Sequence, residues 1–384
     1  MIRYVRPLTL VLFLSLVSIL TNAQSTEIQT PCAKSPTTTS PPCQSFDYKS
    51  RIDFQGLNSL PISDVLKSFR EHGLMREDAT PTEKNIKEAA KLVKALLADK
   101  GYMDTSVVGL RIENSNGVRF VVDEGMKYAI TSLDFVGNKH FTTEDLAGHL
   151  REYLNEYESE TRPGYDRDIL DYCLHQLSNY MRSQGYLRAQ LREPRISVIG
   201  AGLKVTVSTT EGPLCRLGNL KIDGVKAMSL EEVRSLLPMT KGDIANGERI
   251  GKWLFEDLKR AYGEKGFIEY TVEPVPLFKD NRANPEEEIV DFEIRIEEGK
   301  QFSLRSLTIE GEDVSTKQLA EFFVLNVGDV FNQRLLQESV VRINKAGLFE
   351  PIDVDRDFTY TTDEENATVA LALKLRKKSA ADNH

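Results

Sequence analysis

The chain has 384 residues, enough for two to four domains, and its 40% hydrophobic and 28% charged content is that of a water-soluble globular protein. Its 49 basic and 58 acidic residues give a net charge of −9. That balance argues against nucleic acid and anionic lipid as partners, because both are bound by clustered Lys and Arg.

In chain order, the N-terminal segment comes first. Arg3 and Arg6 precede an apolar run from Leu8 to Leu20, and Thr21-Asn22-Ala23 ends it on small residues. The run is shorter than the roughly 20 residues of a membrane-spanning helix. Residues 1–23 therefore read as a signal peptide cleaved after Ala23, with an uncleaved anchor as the alternative. The expected mature chain is soluble and exported. Residues 24–46 are rich in Pro, Ser and Thr and cannot build a core, so they read as a leader. Cys32 and Cys43 lie inside it. In an oxidising compartment they would close a small disulfide loop; the alternative is two free thiols.

A short strand followed at once by a helix start then appears four times. The stretches are RIDFQGLN (51–58), SLDFVGNK (132–139), NLKIDGVK (219–226) and SLTIEGED (306–313). Their glycines, Gly56, Gly137, Gly224 and Gly311, stand 81, 87 and 87 residues apart. In the last three copies apolar positions coincide, among them Tyr128, Cys215 and Phe302. A second glycine recurs at Gly101, Gly185, Gly266 and Gly347, and a closing Glu-Gly at Gly125, Gly212 and Gly299. Self-similarity at a fixed period means an array of like units.

Each unit reads as strand, helix, helix, strand, strand. The first helix begins at a cap: Thr142 with Asp145, Ser229 with Glu232, Ser315 with Gln318. The second ends at the second glycine, which suits the left-handed position beyond a helix end. Its apolar face is plain in Ile169, Leu170, Cys173, Leu174, Leu177, Tyr180 and Met181. The last strand alternates cleanly, as in Leu203, Val205, Val207 or Phe292, Ile294, Ile296 or Val369, Leu371, Leu373. The expected fold is α+β, a tandem array of four β-α-α-β-β units, each a three-stranded mixed sheet with two helices on one face. The expected boundaries are 47–125, 126–212, 213–299 and 300–378, followed by a polar tail at 379–384.

At these residues the chain resembles a known family. The strand L-x-F-x-G-N, the G-Y after the second helix and the alternating strand ending in E-G are similar to those of POTRA (polypeptide-transport-associated) domains. Tandem POTRA repeats form the periplasmic arm of the BamA/TamA family of outer-membrane insertases. The resemblance covers about residues 46–378, and RINKAGLFEPIDV at 342–354 looks like the repeat that joins the barrel. In that family a β-barrel of at least about eight strands follows. Six residues follow Lys378 here, so a barrel-less chain is expected, natural or truncated, and insertase activity is not carried over.

Signatures of catalysis are missing. His72, His140, His149, His175 and His384 form no HExxH and no ligand pair at metal spacing, and there is no phosphate loop, GxGxxG or GxSxG. Cys173, Cys215 and Trp253 fall on apolar faces and read as core, although a bridge between the two cysteines stays open. The acidic runs 286–288 and 363–365 read as solvated hairpin turns rather than a metal site. The expectation is a protein without enzyme activity, cofactor, metal or small-molecule substrate.

Two functions remain. The first is a periplasmic scaffold, held near the outer membrane through its partners. The resemblance supplies those partners: unfolded outer-membrane proteins or assembly-machine subunits, bound by strand addition to sheet edges. The second is a structural connector of another envelope complex. For the first, proline points to the edge. The strand after the second glycine contains Pro194 in unit two, Pro274 and Pro276 in unit three, and Pro351 at its start in unit four. Proline is confined to edges, strand starts and bulges, and it discourages a foreign strand. Unit one has none there, so Met103, Asp104, Thr105, Ser106, Val107 and Val108 are the expected docking edge.

Overall fold

The computed structural model describes residues 51–76, 79–113, 115–157, 164–310, 321–347 and 349–376. The signal peptide, the leader with Cys32 and Cys43, Gly311, the Ser315/Gln318 pair and the tail lie outside the described residues. The described chain divides into two compact units. One holds the residues up to Ser178 together with Gln190–Thr210; the other holds Asn179–Ala189 and the residues from Glu211 onward.

The N-terminal unit carries two sheets. The first is built from β1 (Ile52–Gln55), β2 (Ser106–Arg111) and β3 (Val118–Asp123), in the order β1-β3-β2. Strand β3 pairs parallel with β1 and antiparallel with β2. Helices α1 (Ile62–Glu71) and α2 (Glu83–Asp99) supply Val65, Leu66, Phe69, Ile86, Ala89, Val93 and Leu97 to a core against Val118, Phe120 and Val122. The second sheet holds β4 (Ala129–Val136), β5 (Gln190–Leu191), β6 (Arg195–Ile199) and β7 (Gly202–Thr210), with β7 central. Its helices are α3 (Thr143–Tyr157) and α4 (Arg167–Ser183), the latter counted in this unit as far as Ser178.

The C-terminal unit repeats the plan. Strands β8 (Leu214–Asp223), β9 (Thr271–Asp280) and β10 (Glu287–Glu297) order as β8-β10-β9. Helix α5 (Leu230–Ser235) follows β8. The second helical stretch is α6 (Gly247–Lys252), a π-helical turn over Trp253–Asp257, and α7 (Leu258–Gly263). The last sheet has β11 (Ser303–Glu310), β12 (Phe358–Asp363) and β13 (Thr368–Lys374) in the order β11-β13-β12, with α8 (Gln333–Ala346) and the short α9 (Val354–Asp357). The architecture is the expected α+β one. The last strand of every repeat is its central strand. That is why it alternates most cleanly and contains no proline: it donates to both neighbours and buries one face under the helices.

The repeated residues have local reasons. Gly56, Gly137 and Gly224 have φ of +85°, +95° and +92°. A Cβ there would lie 2.2, 2.5 and 2.0 Å from the carbonyl oxygens of Val122, Thr209 and Ile296 on the central strands. So only glycine lets the chain leave the sheet at this point. The closing Glu-Gly finishes the same turn. Glu124 accepts the backbone N–H groups of Asn58 (2.7 Å) and Ser59 (2.8 Å), and Glu298 accepts those of Lys226 (2.7 Å) and Ala227 (2.9 Å) plus the Tyr262 hydroxyl. Ser229 and Glu232 form a complete capping box, and the Thr142 hydroxyl accepts the Asp145 N–H at 3.1 Å. Cys173 and Cys215 are free and buried, and burial pushes their thiols up to about 12 and about 11, so neither is a ready nucleophile.

The second glycines do more than end helices. Gly101 accepts the Tyr128 N–H at 2.9 Å, and Tyr128 in turn accepts the Tyr165 N–H at 2.8 Å. The C-terminal unit holds the same relay twice, through Gly185, Cys215 and Ala245 and through Gly266, Phe302 and Phe331. Each relay joins the end of one helical segment to the first strand and second helix that follow.

Candidate functional site

Strand addition needs an edge with unpaired, correctly aimed backbone groups and nothing that blunts it. The edges of the four sheets differ in this respect. On the first-strand side, three of four are irregular at one equivalent place. The register to the central strand shifts between Ile130 and Ser132 in β4, and between Leu304 and Ser306 in β11. In the third sheet it shifts between Val290 and Phe292, where Leu217 and Leu220 of β8 lie opposite. That bulge has its own partner. The half-free amide of Asn219 donates to Asp291 (2.6 Å), which also receives Lys279 (2.5 Å). Both donors hold the Asp291 carboxyl below the usual range, Lys279 foremost. Bulges twist an edge away from a flat partner.

On the other side, β9 carries Pro274 opposite Ile294 and Pro276 opposite Phe292. Neither has an N–H to give, so both stand where β9 turns its amides outward. The edge beside β7 is broken into β5 and β6, with Pro194 in the break. Pro351 corrects the sequence reading. It lies seven residues before Phe358, with α9 between, and so does not guard β12. On this side two edges, β2 and β12, therefore carry neither proline nor bulge. They differ in the side chains they expose: Thr359, Tyr360, Thr361 and Thr362 on β12, against Val108 and Leu110 on β2.

Strand β2 can be read atom by atom. The Ile112 N–H donates to Gly117 at 3.0 Å across the hairpin, so the even-numbered residues of β2 face β3 with their backbone groups. Val107, Gly109 and Arg111 then turn their N–H and C=O groups outward. The space where a Gly109 Cβ would project holds the Ile86 side chain at 2.4 Å, which places odd-numbered side chains on the helix face. Val108 (50% exposed) and Leu110 (49%) stand on the open face, and Val121 (36%) lies directly across from Val108.

The expected docking segment is only half on this edge. Ser106, Val107 and Val108 lie on β2, but the strand starts at Ser106 rather than at Met103. Met103 and Asp104 form a turn, and Thr105 is 2% exposed with its hydroxyl 2.7 Å from the Tyr102 carbonyl. The Tyr128 hydroxyl donates to Asp104, and Lys100 pairs with Asp166 (3.1 Å) and Asp168 (2.8 Å). Asp104 thus belongs to the joint between the first two repeats, and Thr105 is turned inward onto the Tyr102 and Glu124 carbonyls of its own repeat. The edge instead runs on through Gly109, Leu110 and Arg111. Their signal was present in the alternation of exposed Val108 and Leu110 around a glycine too crowded to carry a side chain.

Among the described residues, no group of three or more His, Cys, Asp or Glu is placed to hold a metal ion, and no helix is long and apolar enough to cross a membrane.

Comparisons with known proteins agree with this architecture. Residues 215–299 and 302–378 match the POTRA family, described as surface antigen variable number repeat. A putative outer membrane protein assembly factor of Treponema pallidum is 20% identical over 349 residues, 88% of this chain and 40% of that protein. The outer membrane protein assembly factor BamA of Neisseria meningitidis serogroup B is 20% identical over 320 residues, 79% of this chain and 38% of that protein. The chain thus spans about 40% of the length of these relatives. The crystal structure of POTRA3-5 of Haemophilus influenzae BamA superposes with a TM-score of 0.51 at 21% identity, covering 65% of this chain and 96% of that one.

Proposed function

For a chain of POTRA repeats that resembles the periplasmic arm of BamA, we propose a non-catalytic scaffold role in outer-membrane protein assembly. The chain works in the periplasm, where its exported N-terminus would deliver it, and stays near the outer membrane through its partners. It binds extended segments of unfolded outer-membrane proteins, or of assembly subunits, by strand addition on β2. The observation that carries this reading is the state of that edge. Val107, Gly109 and Arg111 offer three outward donor and acceptor pairs, with no proline and no bulge. A net gain of about 1 kcal/mol for each backbone hydrogen bond gives weak, sequence-tolerant binding, which suits clients that share β character and little else. The test is titration of the full chain with an extended β-strand peptide, followed by amide exchange of Val107, Gly109 and Arg111. Protection confined to these three amides is the expected result; binding that leaves them exchanging freely would sink the assignment.

A second reading, a connector, is favoured by the backbone relay found at three joints. Affinity capture separates the two readings. One folded partner at fixed stoichiometry, indifferent to the β2 edge, would support the connector.

A further inference from the structure

The geometry of β2 points to a second occupant for its edge, namely β2 of a second copy of this chain. The inference stands apart from the client reading, although both use one edge. We propose that two copies pair antiparallel through residues 106–111 about a twofold axis at Gly109.

The register follows from which way each residue faces. Residues directly opposite in an antiparallel pair must share a sheet face, and those that exchange hydrogen bonds must both turn outward. With Gly109 opposite Gly109 of the partner copy, Val107 meets Arg111 and Arg111 meets Val107. All three outward residues are then engaged on both chains. The alternative with Val108 on the axis leaves Arg111 beyond the last strand residue of the other copy, because the strand starts at Ser106.

Side chains suit the first register on both faces. On the open face Val108 stands opposite Leu110 in non-hydrogen-bonded pairs, the closest kind, with Cα atoms about 4.5 Å apart. Val121 lies beside Val108 on each side, so six apolar residues exposed in the single chain become one cluster across the axis. On the helix face the axis passes between two glycines. Each Ile86 already fills the place of the missing Cβ, so β2 itself offers no side chain at that point. Like charges do not meet. Arg111 is drawn back to Glu83 (2.7 Å), and Arg119, next in line beyond Leu110, is paired with Asp53 (2.6 Å). The product is a six-stranded sheet ordered β1-β3-β2-β2-β3-β1, which leaves no free β2 edge. Self-pairing would therefore exclude a client strand, so the edge is protected when clients are scarce.

The test uses the full chain. Sedimentation equilibrium should give a concentration-dependent dimer, and Val107→Pro, which removes an outward N–H without touching the β3 ladder, should lower the association constant at least tenfold. If circular dichroism shows that variant to be unfolded, Leu110→Lys at the exposed cluster serves instead, with the same expectation. For the register, Val108→Cys and Leu110→Cys chains are mixed, oxidised and mapped by mass spectrometry. A disulfide that joins position 108 of one chain to position 110 of the other is expected. A monomer at all concentrations, a dimer indifferent to both edge variants, or links only between two copies of position 108 would each overturn the proposal.

Discussion

The backbone of Tyr128 is held from both sides: its N–H donates to Gly101 at 2.9 Å, and its carbonyl accepts from Tyr165 at 2.8 Å. The contact leaves no room for a side chain at Gly101, whose Cβ would sit 2.9 Å from the Tyr165 carbonyl oxygen. Gly347, the equivalent residue of the fourth repeat, has the same left-handed conformation (φ +68°) but nothing within 4 Å. Gly347→Ala should therefore cost only the strain of that conformation, about 1–2 kcal/mol. Gly101→Ala adds a steric clash at the joint and should cost more. Urea unfolding of both variants checks this, and limited proteolysis should show faster cleavage around residues 99–105 in Gly101→Ala alone.

The edge rules predict a gain as well as a loss. Replacing Pro274 and Pro276 together by Val restores two outward N–H groups on β9, beside the exposed Val275 and Leu277. Under the proposed strand addition, an extended β peptide should then bind at two sites, β9 as well as β2. Calorimetric stoichiometry reads the outcome directly, and an unchanged value would refute the role given to these prolines.

Acid should loosen the third repeat at its bulge. The Asp291 carboxyl is depressed below its ordinary value of 3.8 by Lys279 and by the Asn219 amide. Its contribution is thus complete above the unfolded-state value and is lost as pH falls through the lower folded one. Asp291→Ala leaves the Asn219 N–H unpaired and should cost about 1–3 kcal/mol above about pH 5. The gap to wild type should close as pH falls below the ordinary carboxylate value of 3.8. Trp253, the one tryptophan of the chain, is buried in the same core with its indole N–H on the Val233 carbonyl (2.9 Å), so its fluorescence follows this repeat.

A backbone outlier gives a stabilising change. Ala367, in the turn between β12 and β13, has φ +49°, a conformation costly for a residue with a Cβ. Ala367→Gly relieves that strain and gives back part of it to the freedom of the unfolded chain. The net expectation is about 0.5–1 kcal/mol of added stability, seen as a higher urea midpoint.

Much of this fold was legible because local chemistry and the fold agree. Gly56, Gly137 and Gly224, the Ser229/Glu232 box and the alternating last strands each announce one element, and each stands where it was read. What escaped was set by residues far apart in sequence. Thr105 reads as strand, yet it is turned inward onto the Tyr102 and Glu124 carbonyls. Pro351 reads as a strand start until α9 intervenes. The second helical stretch of the third repeat reads as regular, but the Tyr270 hydroxyl takes the Leu254 carbonyl (3.0 Å) and a π-helical turn occupies Trp253–Asp257. The bulges in β4, β8 and β11 have no sequence mark at all, since the extra residue shows only against the partner strand.

The relay at the joints is made entirely by main chain. Tyr128, Cys215 and Phe302 fill one structural role with three unlike side chains, because what the joint requires of them is an N–H, a C=O and an apolar body. Such a coupling is blind to most point mutations and survives duplication intact. A gene that copies or deletes one repeat, cutting at the Glu-Gly ends, would carry a working connector with every segment. The number of repeats can then drift in evolution by whole modules, while each module remains free to specialise its own edges.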